Sequence, residues 1–442
     1  MSDVRGCTEC AALTRATTAR RASVTAQRPG PTRRGVLAGG ALAGLLASLG
    51  SQALAPRLAF AGTETPYDGD TLVVLSLRGG FDGLSAVAPV GDPHLAALRP
   101  TIGVTGAVGL GLDSMFALHP ALTGLKSLYD AGSLAVVHAT GLPQPNRSHF
   151  EAMAQIEAAT PGSPLRTGWL DRVLALHDPA GPFGAVQLGG GGLPYSLLGD
   201  FPALGIQSVD DFDLDGVDAE SLSGWTSFLT AAYSRAPAKL AASAGTALGA
   251  LATTAALEDA GYTPGHGVEY PESDLARQLR DVARLVKAGV GLRVATIDYG
   301  DWDMHSGLGR PDGGWMADHL RELDDALTAF ATDLGAEHLG RVTLVTMSEF
   351  GRRAGENENA GVDHGWGNVM FVLGGNVNGG TVFGSWPGLA DDALDDGDLA
   401  VTTDYRAVLA DVLRNRANAS AGEVSTVFPG WSGTTLGVTR AA

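Results

Sequence analysis

The stretch TLVTMSEFGRRAGENENAGVDHGWG, residues 343–367, decides the fold. It begins as an apolar run typical of a buried strand and stops abruptly at the carboxylate of Glu349. A loop rich in Asn and Gly follows and closes on Asp363, His364 and Gly365. Ligands of open α/β sheets bind at the carboxyl ends of the strands. The pattern therefore predicts a buried strand whose end borders a site.

The segments upstream of this stretch alternate between helical and extended patterns. Apolar residues at spacings of three and four predict helices over 272–288 and 313–335, on either side of a strand over 292–299. Further buried strands are predicted at 71–77, 134–138 and 369–373. Such alternation predicts an α/β fold with a mostly parallel central sheet sandwiched between helices.

Charge and composition exclude some functional classes. The chain of 442 residues has a formal net charge of −18 and is 45% hydrophobic. Neutralising nucleic acid phosphates requires clusters of Lys and Arg, so we expect no nucleic acid partner. The acidic surface is equally unsuited to an anionic membrane. The composition fits a globular protein with a substantial core.

The first 61 residues have a different character from the rest. Arg33 and Arg34 precede an apolar run rich in Gly, Ala and Leu, and Ala59-Phe60-Ala61 follows as a small-x-small cleavage pattern. This arrangement resembles a twin-arginine export signal, with a buried Ala-rich helix or a retained membrane anchor as alternatives. The apolar run is too short and too rich in Gly for a comfortable membrane span.

Export sets the expected location and the domain organisation. We expect residues 1–61 to be removed and the mature protein to be periplasmic, cell-wall-associated or extracellular, with no stable membrane span. Residues 62–442 are predicted to form one domain, with a cap or insert at about 190–270. Both cysteines, Cys7 and Cys10, fall in the leader. The mature chain therefore has no thiol nucleophile and no disulfide.

Carboxylates and imidazoles follow two of the predicted strands. Asp303 and His305 come after the strand over 292–299, and Glu349, Asp363 and His364 come after the strand that opens the deciding stretch. Such a mixture suits a divalent metal, with zinc or manganese preferred, in a site for one or two ions. The alternative is that the two histidines cap loops and bind neighbouring carboxylates.

Calcium suits the chain less well. Asp211, Asp213 and Asp215 have the spacing of the first half of a calcium-binding loop. The twelfth position of that loop should be Glu, but here it is Leu222. We therefore interpret this segment as a solvated acidic loop.

Two further candidates precede these clusters. Asp82 lies in a Gly-rich turn after the first strand, where it is either a metal ligand or a turn carboxylate. Ser148, with Glu151 three residues later, predicts a helix N-terminus with a capping box. Its hydroxyl could also meet an anionic substrate there.

Five motifs together suggest a family. They are RGGFDGLS (78–85), NRSHF (146–150), GDWDMH (300–305), SEFGRR (348–353) and DHG (363–365). In this order behind an export signal, they resemble the domain of unknown function 1501 family. That family looks like a branch of the alkaline-phosphatase-like superfamily, with sulfatases as distant relatives. The resemblance implies an alkaline-phosphatase-like sheet with a two-metal site at its carboxyl edge.

The resemblance also implies roles for single residues. Ser148 stands at the approximate place of a nucleophile, and Asp82, Asp303, His305 and His364 match metal-binding positions. Met304 replaces the usual Thr of its motif, and Asp301 stands where relatives more often have Gly. Glu349 takes the place of the Asp in an Asp-His pair, with Phe350 in place of the His. Arg147 or Arg352 would clamp a phosphate or sulfate oxygen.

The motifs and the resemblance predict two alternative functions. The first is an exported metal-dependent hydrolase of phosphate or sulfate esters, on a small molecule or a polymer. The second is a non-catalytic exported binding or assembly protein with a degraded metal site. The retained Asp303, His305 and His364 favour the first function. Phe350 favours the second, because it removes a nitrogen ligand and so weakens the activation of a hydroxyl by metal.

Overall fold

The computed structural model describes residues 69–163, 165–176, 181–190 and 192–441. The predicted leader, with Cys7 and Cys10, lies outside the described residues. The described residues fall into two units. Residues 218–232 belong to one unit, and the other described residues form the second.

Strands and helices are interspersed along the chain. The strands of the described residues are β1 (Thr71–Leu77), β2 (Val87–Ala88), β3 (Leu110–Gly111), β4 (Ala117–Leu118), β5 (Leu134–Gly141), β6 (Ala185–Leu188), β7 (Leu204–Ile206), β8 (Val294–Tyr299), β9 (Val342–Met347), β10 (Asn368–Gly374), β11 (Val382–Phe383) and β12 (Thr403–Asp404). The helices are α1 (Gly83–Ala86), α2 (Leu95–Leu98), α3 (Thr123–Asp130), α4 (His149–Ala158), α5 (Trp169–Leu174), α6 (Ala219–Tyr233), α7 (Ala238–Ala260), α8 (Asp274–Lys287), α9 (Trp315–Leu339), α10 (Tyr405–Arg416) and α11 (Ala421–Val427). Short 3₁₀ turns occur at Tyr195–Leu197 and Gly265–Gly267.

A central sheet organises the larger unit. Its strand order is β11-β5-β10-β9-β1-β8-β6-β7, with β12 also paired to β5. Strand β1 lies in the middle and pairs in parallel with both β8 and β9. Strand β10 runs antiparallel to its neighbours β5 and β9. The carboxyl ends of β1, β8 and β9 and the start of β10 therefore meet at one edge.

Both faces of the sheet are buried, which explains the continuous apolar runs in its strands. On β1, Val73 and Leu75 join the core on one face, where α3, α8 and α9 also pack. Leu72 and Val74 join the core on the other face, with α4, α5, α10 and α11. The predicted α/β fold, with a mostly parallel central sheet flanked by helices, is confirmed.

Most predicted elements around this sheet are confirmed with small shifts. The amphipathic pattern over 272–288 forms α8, whose N-cap Ser273 accepts a hydrogen bond from the N–H of Ala276. The longer pattern over 313–335 forms α9, which continues to Leu339 across a break at Gly335. Ser148 occupies the N-cap of α4 as predicted, but its side chain makes no capping hydrogen bond, so the predicted capping box is absent.

The region predicted as a cap or insert contains two helices. Strand β7 belongs to the edge of the central sheet, and α6 and α7 follow it. Among the described residues, α7 is one helix that could cross a membrane by its length and apolar composition. These two criteria alone are weak support for a membrane span, because a signal sequence or a core helix also meets them.

Candidate metal centre

The candidate centre lies at the edge where the strands of the sheet deliver their loops. Asp303 and His305 follow β8, while His364 shortly precedes the antiparallel strand β10. His149 is the first residue of α4, in the connection that follows β5. Asp301 has a φ of 66°, a left-handed conformation that turns the chain sharply after β8.

Three imidazole nitrogens and one carboxylate oxygen converge at this edge. Nε2 of His364 lies 3.0 Å from Nε2 of His149 and 3.0 Å from Nε2 of His305. Oδ1 of Asp303 lies 3.0 Å from Nε2 of His305, 3.4 Å from that of His364 and 3.7 Å from that of His149. The ligand atoms of His149, Asp303 and His364 all lie within 4.8 Å of one another.

These separations fit a small divalent cation. Four ligand atoms about 2.0–2.1 Å from a tetrahedral zinc ion lie roughly 3.3 Å from each other. The separations among the ligand atoms of His149, Asp303 and His364, which are 3.0, 3.4 and 3.7 Å, bracket that value. The donor set of imidazoles and one carboxylate also suits such an ion. The arrangement is therefore compatible with a divalent metal.

The other ring nitrogen of each histidine faces an oxygen acceptor. Nδ1 of His149 lies 2.7 Å from Oε1 of Glu349, and Nδ1 of His305 lies 2.8 Å from Oδ1 of Asp363. Nδ1 of His364 lies 2.8 Å from the carbonyl oxygen of Arg147. A carbonyl or an ionised carboxylate only accepts, so each Nδ1 carries the proton. In the neutral imidazole, the lone pair on Nε2 then points into the centre, as in metal-binding histidines.

The charges of the centre leave room for a cation. Asp303, Glu349 and Asp363 each contribute a negative charge, and Arg352 contributes a positive one. With neutral imidazoles the centre therefore has two surplus negative charges, which one divalent ion would balance.

Protons compete with a cation for the nitrogen and oxygen atoms of the centre. Burial lowers the pKa of His149, but hydrogen bonds to Asp303 and Glu349 outweigh burial and raise the pKa to about 9. The hydrogen bond to Asp303 likewise raises the pKa of His305, against burial. Burial alone would raise the pKa of Asp303, yet the three histidines and Arg352 hold this pKa far below its usual range. Without a cation, the centre therefore attracts protons.

The centre is closed on one side and open on the other. The side chain of His149 is 2% exposed, whereas that of His305 is 32% exposed and that of Asp363 is 52% exposed. A ligand therefore reaches the centre from the side of His305 and Asp363.

Close backbone packing places His364. Residues Arg352 and His364 form an isolated antiparallel bridge. A Cβ at Gly365 would lie 2.3 Å from the backbone carbon of Arg352, which is shorter than any allowed contact. Glycine at 365 therefore lets the two segments approach and brings His364 into the centre.

The structure gives Asp82 a different partner from the predicted metal. Its two carboxylate oxygens accept hydrogen bonds from Nη1 and Nη2 of Arg99, at 2.6 and 2.9 Å. Arg99 also donates to Ser85 and to the carbonyl oxygens of Arg353 and Ala354. Both side chains are buried, so Asp82 belongs to a closed ion pair that stabilises the loop after β1.

The two arginines predicted as substrate clamps are engaged elsewhere. The side chain of Arg352 is fully buried. Its guanidinium donates to Oδ1 of Asp303 at 2.7 Å and to the carbonyl oxygens of Gly79, Gly80, Trp302 and Val362. Arg147 donates to Asp396 and Asp398. Arg352 thus ties the loops of the centre together, and the guanidinium of Arg147 is held by two carboxylates.

Glu349 and Asp363, predicted as metal ligands, lie one step outside the converging atoms. Oε1 of Glu349 also accepts from the N–H of Gly79 at 2.9 Å. Asp363 accepts from Nδ2 of Asn357 at 3.2 Å. Both carboxylates orient histidines. Ser148, the predicted nucleophile, directly precedes His149 and is partly exposed.

His149 is the residue that sequence reasoning missed. It belongs to the NRSHF motif, but the sequence pattern indicated Ser148 as the functional residue of that motif. Its ring packs against Phe350, with ring centroids 4.8 Å apart, and against His364 at 4.4 Å. The signal that could have found it was an imidazole in a Pro-held loop after a buried strand. His149 thus brings a nitrogen to the place where Phe350 lacks one.

Comparisons with known proteins give a partial family match and no activity. The sequence model described as "Protein of unknown function (DUF1501)" matches residues 226–413, less than half of the chain, so this part of the chain is similar to the predicted family. The match includes Asp303, His305 and His364 but not His149. No curated protein matches the chain.

Two solved structures show a distant likeness. The sulfatase PsFucS1 from Pseudoalteromonas sp. is 15% identical, and the alignment covers 71% of this chain and 64% of the sulfatase, with a TM-score of 0.31. Ps i-CgsB, solved in complex with k-i-k-neocarrahexaose, is 12% identical over 71% of this chain and 68% of its own, with a TM-score of 0.32. At such TM-scores neither structure carries an argument about this chain.

Proposed function

We propose that this chain, whose residues 226–413 match the DUF1501 family, is a metal-dependent hydrolase of phosphate or sulfate esters. His149, Asp303, His305 and His364 would hold one divalent cation. One observation carries the proposal: three histidines turn Nε2 toward a common point while each Nδ1 is fixed by an oxygen acceptor. Metal-binding histidines have this arrangement.

The donor set favours zinc over manganese. Imidazole nitrogens suit zinc, whereas manganese prefers carboxylates, carbonyls and water. The separations of 3.0–3.7 Å among the ligand atoms of His149, Asp303 and His364 also suit the short metal–ligand distances of zinc. When bound, the ion would supply Lewis-acid polarisation of an ester oxygen.

The chain's own residues would position the reactants. Glu349 and Asp363 hold the protons on Nδ1 of His149 and His305, and Arg352 holds Asp303. Ser148 is the proposed nucleophile, since it stands beside His149 at the N-terminus of α4, where backbone N–H groups favour an anion. The open side at His305 would admit the ester.

The engaged arginines favour a second candidate, a non-catalytic protein that uses the metal for binding or assembly. Arg147 and Arg352 are ion-paired to carboxylates, and these carboxylates would compete with a phosphate or sulfate for the two guanidinium groups. The converging ligand atoms of His149, Asp303 and His364, with His305 beside them, support the hydrolase more strongly.

Metal analysis followed by turnover separates the candidates. Purified protein should contain about one equivalent of zinc and should hydrolyse a member of a panel of aryl sulfates, aryl phosphates and aryl phosphodiesters. His364→Ala should abolish both properties. His94→Ala is a matched control, because His94 is exposed and ion-paired to Asp92 outside the cluster. Absence of a tightly bound transition metal in the wild type, or equal turnover by His364→Ala, would contradict the hydrolase.

Ser148→Ala tests the nucleophile separately. The variant should retain zinc and lose turnover. Retained turnover with retained zinc would remove Ser148 from the mechanism and leave the metal centre standing.

We also propose, from the sequence, that the protein works outside the cytoplasm after twin-arginine export. The pair Arg33-Arg34 supports this location. Replacing both with Lys should retain the precursor in the cytoplasm, as measured by fractionation and immunoblotting. Unchanged export of that variant would contradict the pathway.

A further inference from the structure

The segment of residues 395–399, between β11 and β12, binds two loops of the candidate centre. The carbonyl oxygen of Gly397 accepts from the N–H of Ala354 at 3.1 Å, and that of Leu399 accepts from the N–H of Gly367 at 2.9 Å. These bonds attach the segment to the chain on both sides of His364. They leave the side chain of Asp398 to make a third attachment.

That third attachment reaches the loop before α4. Oδ2 of Asp398 accepts from Nε of Arg147 at 3.0 Å and from Nη2 at 2.6 Å. Arg147 stands two residues before His149. The ion pair therefore connects the segment that flanks His364 with the loop that delivers His149.

Arg147 also acts through its backbone. Its carbonyl oxygen accepts the proton on Nδ1 of His364 at 2.8 Å. This is the bond that turns Nε2 of His364 toward the centre. A displacement of Arg147 would move the acceptor of His364 and, through the chain, His149 as well.

Burial constrains the geometry of the ion pair between Asp398 and Arg147. The side chain of Asp398 is only 1% exposed, whereas that of the neighbouring Asp396, which also contacts Arg147, is 74% exposed. A buried carboxylate needs its partner in a defined geometry, because water does not replace the lost hydrogen bonds. Asp398 therefore constrains Arg147 more strongly than Asp396 does.

We propose that Asp398 is a positioning residue of the centre. Through Arg147 it fixes the carbonyl that orients His364, and it sets the separation of 3.0 Å between Nε2 of His149 and Nε2 of His364. The inference rests on the proposed metal centre and goes beyond it, because Asp398 touches neither the ligand atoms nor the substrate.

Asp398→Asn tests the role with a minimal change of shape. Outer partners of metal-binding histidines change metal affinity by about 10–100-fold, and one bond further out we expect a zinc affinity about tenfold weaker. The measurement is competition with a chromophoric zinc chelator on the purified protein. Asp392→Asn is the matched control, since Asp392 lies six residues before Asp398 and is exposed. Its affinity should equal that of the wild type.

A second measurement does not need metal. In histidine-labelled, metal-free protein, the proton on Nδ1 of His364 should give a resonance that exchanges slowly with water. Asp398→Asn should speed this exchange at least about tenfold, because the acceptor carbonyl loses its anchor. The resonance of Nδ1 of His305, which is bound by Asp363 and not by Arg147, is the internal reference.

A double replacement distinguishes an effect on the position of the metal-binding histidines from an effect on the stability of the fold. Arg147→Met combined with Asp398→Leu removes both charges and keeps apolar bulk, so unfolding by urea should be close to that of the wild type. Zinc affinity should remain reduced about tenfold, as in Asp398→Asn. Reduced affinity in a variant of normal stability is the result that a merely structural ion pair does not produce.

The outcomes are distinguishable. Faster exchange at His364 in Asp398→Asn, with the expected loss of zinc affinity, supports the inference. Unchanged proton exchange at His364 in Asp398→Asn overturns it. An unchanged zinc affinity of Asp398→Asn also overturns it, when the wild type binds zinc. If the wild type binds no zinc, the proposed function fails, and the exchange measurement in metal-free protein still decides the role of Asp398.

Discussion

The rings of His149 and Phe350 pack together with their centroids 4.8 Å apart, and Phe350 packs against His364 at the same separation. Phe350 occupies the position where the family resemblance led us to expect an imidazole. Here it forms an apolar wall behind two histidines. His149 of α4 packs against this wall and places a ring nitrogen in the same cluster as Asp303 and His364.

Removal of His149 should empty the centre of metal. His149→Ala deletes one of the three side chains whose ligand atoms lie within 4.8 Å of one another, and we expect zinc affinity to fall by more than the roughly 100-fold upper range of outer-partner substitutions. The measurement is chelator competition, supported by metal analysis after gel filtration. His119→Ala provides a second buried histidine as control, because His119 lies outside the cluster. Full zinc occupancy in His149→Ala would show that the cation binds elsewhere.

Glu349 should act through His149 without binding the metal. Glu349→Gln preserves an oxygen acceptor for Nδ1 but removes the charge, so zinc affinity should fall by about 10–100-fold and occupancy should persist at high zinc. Asp363→Asn is the comparison, and its effect should be smaller because Asp363 is half exposed. Complete and irreversible loss of zinc in Glu349→Gln would instead identify Glu349 as a direct ligand.

Asp82 should matter for stability and not for metal content. Asp82→Ala leaves the buried guanidinium of Arg99 without its carboxylate, which typically costs about 3–5 kcal/mol of unfolding free energy. Urea unfolding measures the loss, and metal analysis of the folded variant should give the wild-type stoichiometry. The double variant Asp82→Ala with Arg99→Met should recover much of the stability. A folded Asp82→Ala protein that loses an equivalent of metal would restore Asp82 as a ligand.

His138 should contribute to loss of stability in acid. It is completely buried against Phe116 and Trp386, and burial lowers its pKa from 6.5 to about 4. The folded state therefore binds fewer protons than the unfolded state between these pH values, and stability falls as the pH drops through that window. The full contribution, present above pH 6.5, is on the order of 3 kcal/mol.

Replacement by a group that does not titrate isolates this effect. His138→Gln should be less stable than the wild type at pH 7, because the ring contacts are lost, but its urea midpoint should decline less between pH 6.5 and pH 4. Nε2 of His138 donates to the carbonyl oxygen of Val87 at 3.0 Å, a bond that glutamine can imitate. Parallel pH profiles for the two proteins would contradict the assignment of a neutral, buried imidazole.

The sheet could be predicted because local patterns encode it. Continuous apolar runs such as Thr71–Leu77 fit a strand buried on both faces, and the helical spacing over 272–288 fits a helix with one buried side. The positions of Asp303, His305 and His364 after or before strands were also visible, because the strands of an open sheet deliver their loops to one edge.

The roles of individual side chains could not be predicted in the same way. Asp82 and Asp303 both follow buried strands in loops with glycine, yet one meets Arg99 and the other meets three imidazoles. Arg147 and Arg352 lie beside site residues in the sequence, but their guanidinium groups point to carboxylates and carbonyls. Contacts between residues far apart along the chain decide these roles, such as the contact of His149 with Glu349, 200 positions away.

The sequence by itself determined the α/β class, the edge of the sheet at which a site would form, and most of the carboxylates and imidazoles available there, since apolar periodicity and strand ends are local properties. Only the tertiary structure decided which atoms converge. It placed His149 beside Phe350, moved Glu349 and Asp363 to the outer nitrogens of histidines, and closed Asp82 into an ion pair. The reason is physical: hydrogen bonds and charges act over a few ångströms in space, and separation along the chain does not record that distance.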